Sequence, residues 1–137
     1  MPSRPSRHLS WTELRCKDGT PYPMAYRTDP TRLPRLAYVF ELIRYVVGHL
    51  PISNNSAYRS PSHNRRIGGA RKSQHVEGRA MDLVPPKGWT TREFHAVIRD
   101  SIPEVRGLGR YRGFVHVDVR PGRRWMPTKT QGGKKDS

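Results

Sequence analysis

The chain has 137 residues, enough for one domain with a modest core and too few for two. Lys and Arg outnumber Asp and Glu by 26 to 11, a formal charge of +15, and only 34% of the residues are hydrophobic. No run approaches the roughly 18 to 20 apolar residues of a membrane span, and the single Cys16 excludes an intrachain disulfide. The charge favours an anionic partner, whether nucleic acid, an acidic membrane surface or a cell-wall polymer, and by itself does not choose among them.

Residues 1–9 mix Pro, Ser and Arg and are expected to be a disordered N-terminus. No apolar core follows Met1 to Pro5, so a cleaved secretory leader is not expected. The folded domain is expected over 10–126. Ser10 and Glu13 have the spacing of a capping box and predict a short helix through about Cys16. Lys17 to Pro30 is rich in Gly, Pro, Asp and Thr and reads as a surface loop, with Tyr22, Met24 and Tyr26 as its anchors to the core.

The main helix is predicted over Leu33 to Gly48, where Leu36, Val39, Phe40, Ile43, Val46, Val47 and Leu50 follow the spacing of one buried face. Pro51 to Arg59 reads as a strand, Ser62 to Ile67 as one helical turn, and Arg79 to Val84 as a second strand that Pro85 and Pro86 break. Thr90 and Glu93 form another capping box. Trp89 and Phe94 have hydrophobic-staple spacing, and this helix ends before Pro103. Gly107 to Tyr111 and Phe114 to Arg120 predict a hairpin around Arg112 and Gly113. Trp125 reads as a lid over its end, and 127–137 as a basic disordered tail.

The chemistry gathers in two segments. His75 and Asp82 lie seven positions apart in Ser73 to Asp82, and His116 stands on the alternating strand Phe114 to Arg120. Two imidazoles and a carboxylate are a donor set suited to a catalytic zinc ion, one per chain, with a position left open for water. Such an ion lowers the pKa of its water to about 7 and polarises a scissile carbonyl. The His75–Asp82 spacing is too long for one helical turn, whereas a loop-to-strand path tightened at Gly78 can bring the two together.

On the predicted strand, Val115, Val117 and Val119 face one way, and Phe114, His116, Asp118 and Arg120 face the other. Asp118 therefore projects about 6 to 7 Å along the strand from His116, either as a proton-transferring base or as a partner that orients a ligand imidazole. Arg59 is a candidate to stabilise an oxyanion or hold a substrate carboxylate, and Ser73 to hydrogen-bond a substrate backbone. Each has a plainer reading alone: a satisfied core histidine, a turn aspartate, a solvated arginine. Cys16 reads as an inert structural thiol, His63 as a solvated loop residue or a cleft-rim residue, and Glu77, inside the run from Ser73 to Asp82, invites a general-base reading.

Together, Ser56-Ala57-Tyr58-Arg59-Ser60-Pro61, His63-Asn64, Ile67-Gly68-Gly69-Ala70, the run from Ser73 to Asp82, Gly109-Arg110-Tyr111 and Phe114 to Arg120 resemble the zinc D-Ala-D-Ala peptidase family. That family shares a superfamily with lysostaphin-type endopeptidases and the Hedgehog signalling domain. Its S-x-H-x-x-G-x-A-x-D motif is complete here, and the resemblance spans about Ser10 to Trp125. It implies an α+β fold with a small central antiparallel sheet flanked by helices. It also implies zinc held by His75, Asp82 and His116, a substrate- and oxyanion-binding Arg59, a substrate-contacting Ser73, and cleavage of peptide bonds in bacterial peptidoglycan.

Many members carry an acidic residue or a His two or three positions before the last ligand, where this chain has Phe114 and Gly113. The short members that it most resembles show His-x-Asp instead, which makes Asp118 the expected base.

The expected activity is thus an endolysin-like endopeptidase or a DD-carboxypeptidase. It would be made in the cytoplasm and act on the wall after release through a holin-type pore, as a monomer bound to stem peptides and anionic wall polymers. Two alternatives stand beside it: a basic nucleic-acid-binding module with an incidental His/Asp cluster, and a zinc-binding but inactive member. No zinc-knuckle, helix-turn-helix or aromatic RNA-binding signature supports the first.

Overall fold

The structure, a computed structural model, describes residues 3–132, so the last five residues of the expected tail lie outside the described part. Helices α1 (Trp11–Leu14), α2 (Met24–Arg27) and α3 (Leu33–Val46) precede strand β1 (Ser53–Ser56). Helix α4 (Pro61–Arg66), strand β2 (Ala80–Val84), helix α5 (Thr91–Ser101) and strands β3 (Gly107–Tyr111) and β4 (Phe114–Asp118) follow. The strands form one antiparallel sheet in the order β1-β2-β4-β3. The fold is α+β, as expected.

Both capping boxes form. The Ser10 hydroxyl accepts from Glu13 N and the Thr90 hydroxyl from Glu93 N, while each Glu carboxylate reaches back to its cap. α3 buries Leu33, Leu36, Ala37, Val39, Phe40 and Ile43, and α5 adds Phe94 and Ile98. α5 packs on β3 and β4 and α3 on α5, in one core with Met81, Leu83, Leu108, Val115 and Val117 of the sheet. Each such side chain contributes roughly 1.5 to 3 kcal/mol by leaving water. α3 ends two residues before Gly48, which takes φ +78, so Leu50 lies past the helix and is 38% exposed rather than buried.

Three differences from expectation have physical causes. Met24 to Arg27 closes a helical turn inside the expected loop. Tyr22 anchors it through a 2.6 Å hydrogen bond from its hydroxyl to Gly78 O, whereas Met24 points to solvent. The strand expected over Pro51 to Arg59 is only Ser53–Ser56, because register shifts between Asn54 and Ser56 and the chain then leaves the sheet. Beyond it, Tyr58 N donates to Leu14 O and Arg59 N to His75 O. The N-terminal segment docks instead of hanging free: Leu9 has 0% exposure, and Glu41 on α3 accepts from the Ser6 hydroxyl at 2.6 Å and from His8 N at 2.9 Å.

Candidate active site

The sheet's second face carries the functional residues. In β2, Met81 and Leu83 point into the core, so Ala80 and Asp82 point away from it. Pairing sets Asp82 directly beside His116 of β4, and Ala80 beside Asp118. β3 continues the row with Gly109 opposite His116 and Gly107 opposite Asp118. A methyl group at Gly107 would overlap the Asp118 carboxylate, and one at Gly109 would lie 2.6 Å from the Trp125 ring. These glycines are needed for space.

His75 arrives from the turn before β2. Gly78 there has φ +70, and a Cβ at that position would also press on Tyr26 and lie 2.9 Å from the Tyr22 hydroxyl. The Ser73 hydroxyl accepts from His75 N at 3.1 Å and shapes the same turn.

The result is a triad of buried donors. His75 Nε2 and His116 Nδ1 lie 3.2 and 3.1 Å from Asp82 Oδ1. Each ring's other nitrogen is committed outward: His75 Nδ1 donates to Ala57 O at 2.6 Å, and His116 Nε2 to Asp118 Oδ2 at 2.7 Å. Those partners accept only, so they take the ring protons and turn the unprotonated nitrogens inward. Two imidazole lone pairs and a carboxylate oxygen thus face one another at contact distance. A cation resolves that conflict. Ligands at about 2.0 to 2.1 Å around a tetrahedral zinc lie roughly 3.3 Å apart, close to the spacings seen here.

The charges of His75 and Asp82 agree with this arrangement, while the raised pKa of His116 favours a second ring proton that a cation has to displace. Burial drives the His75 pKa down and keeps the ring neutral. Burial also works on His116, but hydrogen bonds to Asp118 and Asp82 outweigh it and hold that ring above its ordinary value. Asp82 stays ionised well below the usual carboxylate range, because the two imidazoles offset the burial that opposes its charge.

Arg59 and Asp118 are both brought to this centre, Arg59 behind Asp82 and Asp118 behind His116. Arg59 is 1% exposed, with Nη2 3.4 Å from Asp82 Oδ2 and Nη1 3.3 Å from Asn64 Oδ1. Asp118 is 0% exposed. Its Oδ1 accepts from Arg120 N at 3.0 Å and Arg120 Nε at 2.9 Å. Its Oδ2 accepts from Arg120 Nη2 at 2.6 Å and from His116. Those four bonds use its acceptor capacity.

A cleft of about 260 Å³ opens over the triad, lined among others by Lys72, Ser73, Gln74, Tyr111, Arg120 and Trp125. Burial and the nearby Asp82 carboxylate push the Tyr111 phenol up, so it remains a neutral O–H. Trp125 is held by Leu108 N donating to Trp125 O at 2.7 Å, and its ring meets His116 edge-on at 5.7 Å. Lys72, Gln74, Tyr111 and Arg120 were not singled out for the cleft from sequence. Arg120 shares a strand face with His116, and glycine at every second position of β3 was a readable sign of crowding on that face. Glu77 is away from the cleft, paired with Arg32 at 2.9 Å, and His63 lies on α4 outside it.

The sequence profile described as Peptidase M15 matches residues 7–118. The chain is also similar to a zinc D-Ala-D-Ala carboxypeptidase of Streptomyces albus G, 32% identical over 88 residues that make up 62% of this chain and 34% of that protein. It thus spans about a third of that relative's length. With the profile covering most of the folded part, the chain belongs to the M15 peptidase family.

Proposed function

We propose that the chain is a zinc-dependent peptidase that hydrolyses peptide bonds of bacterial peptidoglycan, with His75, Asp82 and His116 as the zinc ligands. The observation that carries this reading is the inward convergence of three lone pairs whose outer partners are already satisfied. Zinc held there supplies Lewis acidity toward a peptide carbonyl and toward water.

The protein's own groups do the rest. Asp118 fixes His116 in the tautomer that presents Nδ1, and Ala57 O does the same for His75. This geometry favours Asp118 as a positioning residue over a base, since a carboxylate closed in by Arg120 and His116 has no lone pair left for water. Arg59, 3.4 Å from Asp82 Oδ2, lends positive charge to the cleft floor without presenting a surface to substrate. Lys72 and Arg120 at the cleft wall suit the carboxylates of stem peptides, and the Tyr111 and Ser73 hydroxyls suit backbone carbonyls. Gln74 Oε1, buried without a protein partner among the described residues, suits a substrate N–H.

A charge of +15 favours retention on an anionic wall, consistent with an endolysin-like role at that site. The named relative favours DD-carboxypeptidase chemistry, and an endopeptidase using the same three donors is the second reading. Mass spectrometry of muropeptides after digestion of purified sacculi separates the two. Loss of terminal D-Ala marks a carboxypeptidase, split cross-links mark an endopeptidase, and no cleavage with zinc bound sinks the activity.

A further inference from the structure

A second set of metal-binding side chains lies outside the cleft. Cys16, Asp18 and His63 each present one donor atom, and these atoms lie within 4.8 Å of one another. Their backbones are fixed by contacts that involve no ion. Cys16 N donates to Thr20 O at 2.8 Å and Gly19 N to Cys16 O at 3.0 Å, which folds Cys16 and Asp18 into one tight loop. His63 enters from the first turn of α4, where its N donates to the Ser60 hydroxyl at 3.2 Å.

Ser60 joins the two pieces. Its hydroxyl donates to Asp18 Oδ2 at 2.6 Å, and its N–H donates to the Cys16 sulfur at 3.3 Å. A cation that enters here displaces the thiol proton, since the thiolate is the form that binds metal. Cys16 is buried, Asp18 is exposed and His63 is half-buried, so the donors sit at the bottom and rim of a shallow entry.

We propose that Cys16, Asp18 and His63 form a second site for a thiophilic divalent cation, zinc foremost. A thiolate, a carboxylate and an imidazole match the ligand types zinc accepts, and their combined negative charge is the attraction in a strongly basic chain. The Arg66 guanidinium, 3.9 Å from Asp18 Oδ2 and 3.4 Å from His63 Nδ1, occupies the seam when the ion is absent. Its side chain is 61% exposed, so it swings into solvent when the ion enters.

The ion's role is to brace. It ties the Cys16–Thr20 loop to α4, and α4 carries Asn64, which accepts from Arg59 behind Asp82. The site stands independently of the peptidase reading, because none of its ligands lines the cleft.

Cobalt(II) in place of zinc tests it. Cys16 is the sole cysteine, so a thiolate-to-cobalt charge-transfer band in the near ultraviolet reports this site and never the His75 centre. Titrating the metal-free full chain should give that band with saturation at one cobalt, and a total metal content of two per chain. His63→Ala, at a half-buried position that tolerates truncation, should weaken cobalt binding read at the band by more than about tenfold. It should leave the visible absorption of the other centre and the hydrolytic rate unchanged. Cys16→Ser should remove the band. A wild-type chain that takes up one metal without a charge-transfer band overturns the proposal, and so does a band that His63→Ala and Asp18→Asn both leave unchanged.

Discussion

The two donor clusters use similar side chains and differ in what holds them. Asp82 and His116 stand on adjacent strands in direct register, and the His75 and His116 imidazoles each spend their second nitrogen on a fixed acceptor. Cys16, Asp18 and His63 hang on a loop and a short helix, with one rim open to water. Strand pairing fixes ligand positions before any ion arrives. At the loop site turn bonds and Ser60 fix the backbones, and the side chains gain part of their order from the ion itself. The first arrangement suits catalysis, where geometry must persist through turnover, and the second suits a clip.

The largest effect expected is at the strand-held site. Asp82→Ala removes a ligand and leaves the buried Arg59 guanidinium without its carboxylate, so hydrolysis should vanish and stability fall by about 3 to 5 kcal/mol in denaturant unfolding. Unchanged stability would show that the pair does not hold the floor.

Next comes Asp118→Asn, which should lower zinc affinity about 10- to 100-fold with activity recovered at raised zinc. Activity lost while zinc stays bound would make Asp118 the base after all. Gly107→Ala pushes on the same carboxylate from β3 and should cost about 1 to 3 kcal/mol in thermal or denaturant unfolding. A neutral result would mean that β3 yields without disturbing Asp118.

The contrast between clusters also predicts an order of metal loss. A graded chelator challenge of the cobalt-loaded protein should bleach the thiolate band before the visible absorption of the buried centre. The reverse order would place the tighter site on the loop.

The smallest effect lies at the docked N-terminus. Burial opposes ionisation of Glu41, but hydrogen bonds from His8 and Ser6 outweigh it and hold the carboxyl below its ordinary 4.5. Its stabilisation is therefore complete above pH 4.5 and is lost as pH falls through the lower folded value. At this partly exposed pair that amounts to about 0.2 to 1 kcal/mol. Glu41→Gln should flatten this part of the stability profile, and an unchanged profile would remove the clamp.

What was legible in the sequence was local. Capping boxes span three residues, α3 and α5 repeat at helical period, and the β3–β4 hairpin turns at Gly113, whose φ is +86. The approach of His75 to Asp82 was readable because loop, turn and strand lie within ten residues. The docking of Leu9 and Ser6 on α3 depends on partners more than thirty positions away, as does the role of Gly107 against Asp118 across the hairpin depend on strand register. Arg59 and Asp118 lie beside Asp82 and His116 in the structure. Their burial behind the ligands follows from Asn64 and Arg120 filling the remaining hydrogen-bond positions, which no spacing along the chain reveals. Cys16 and His63 are forty-seven positions apart, and only the fold joins them.

The central claim rests on the His75, Asp82 and His116 centre, and metal-reconstituted digestion of purified sacculi tests it most directly. Metal-free protein should release no muropeptide fragments, zinc should restore release, and His116→Ala should stay inactive at any zinc concentration while remaining folded. Digestion by the metal-free chain, or by zinc-supplied His116→Ala at the wild-type rate, would contradict the account.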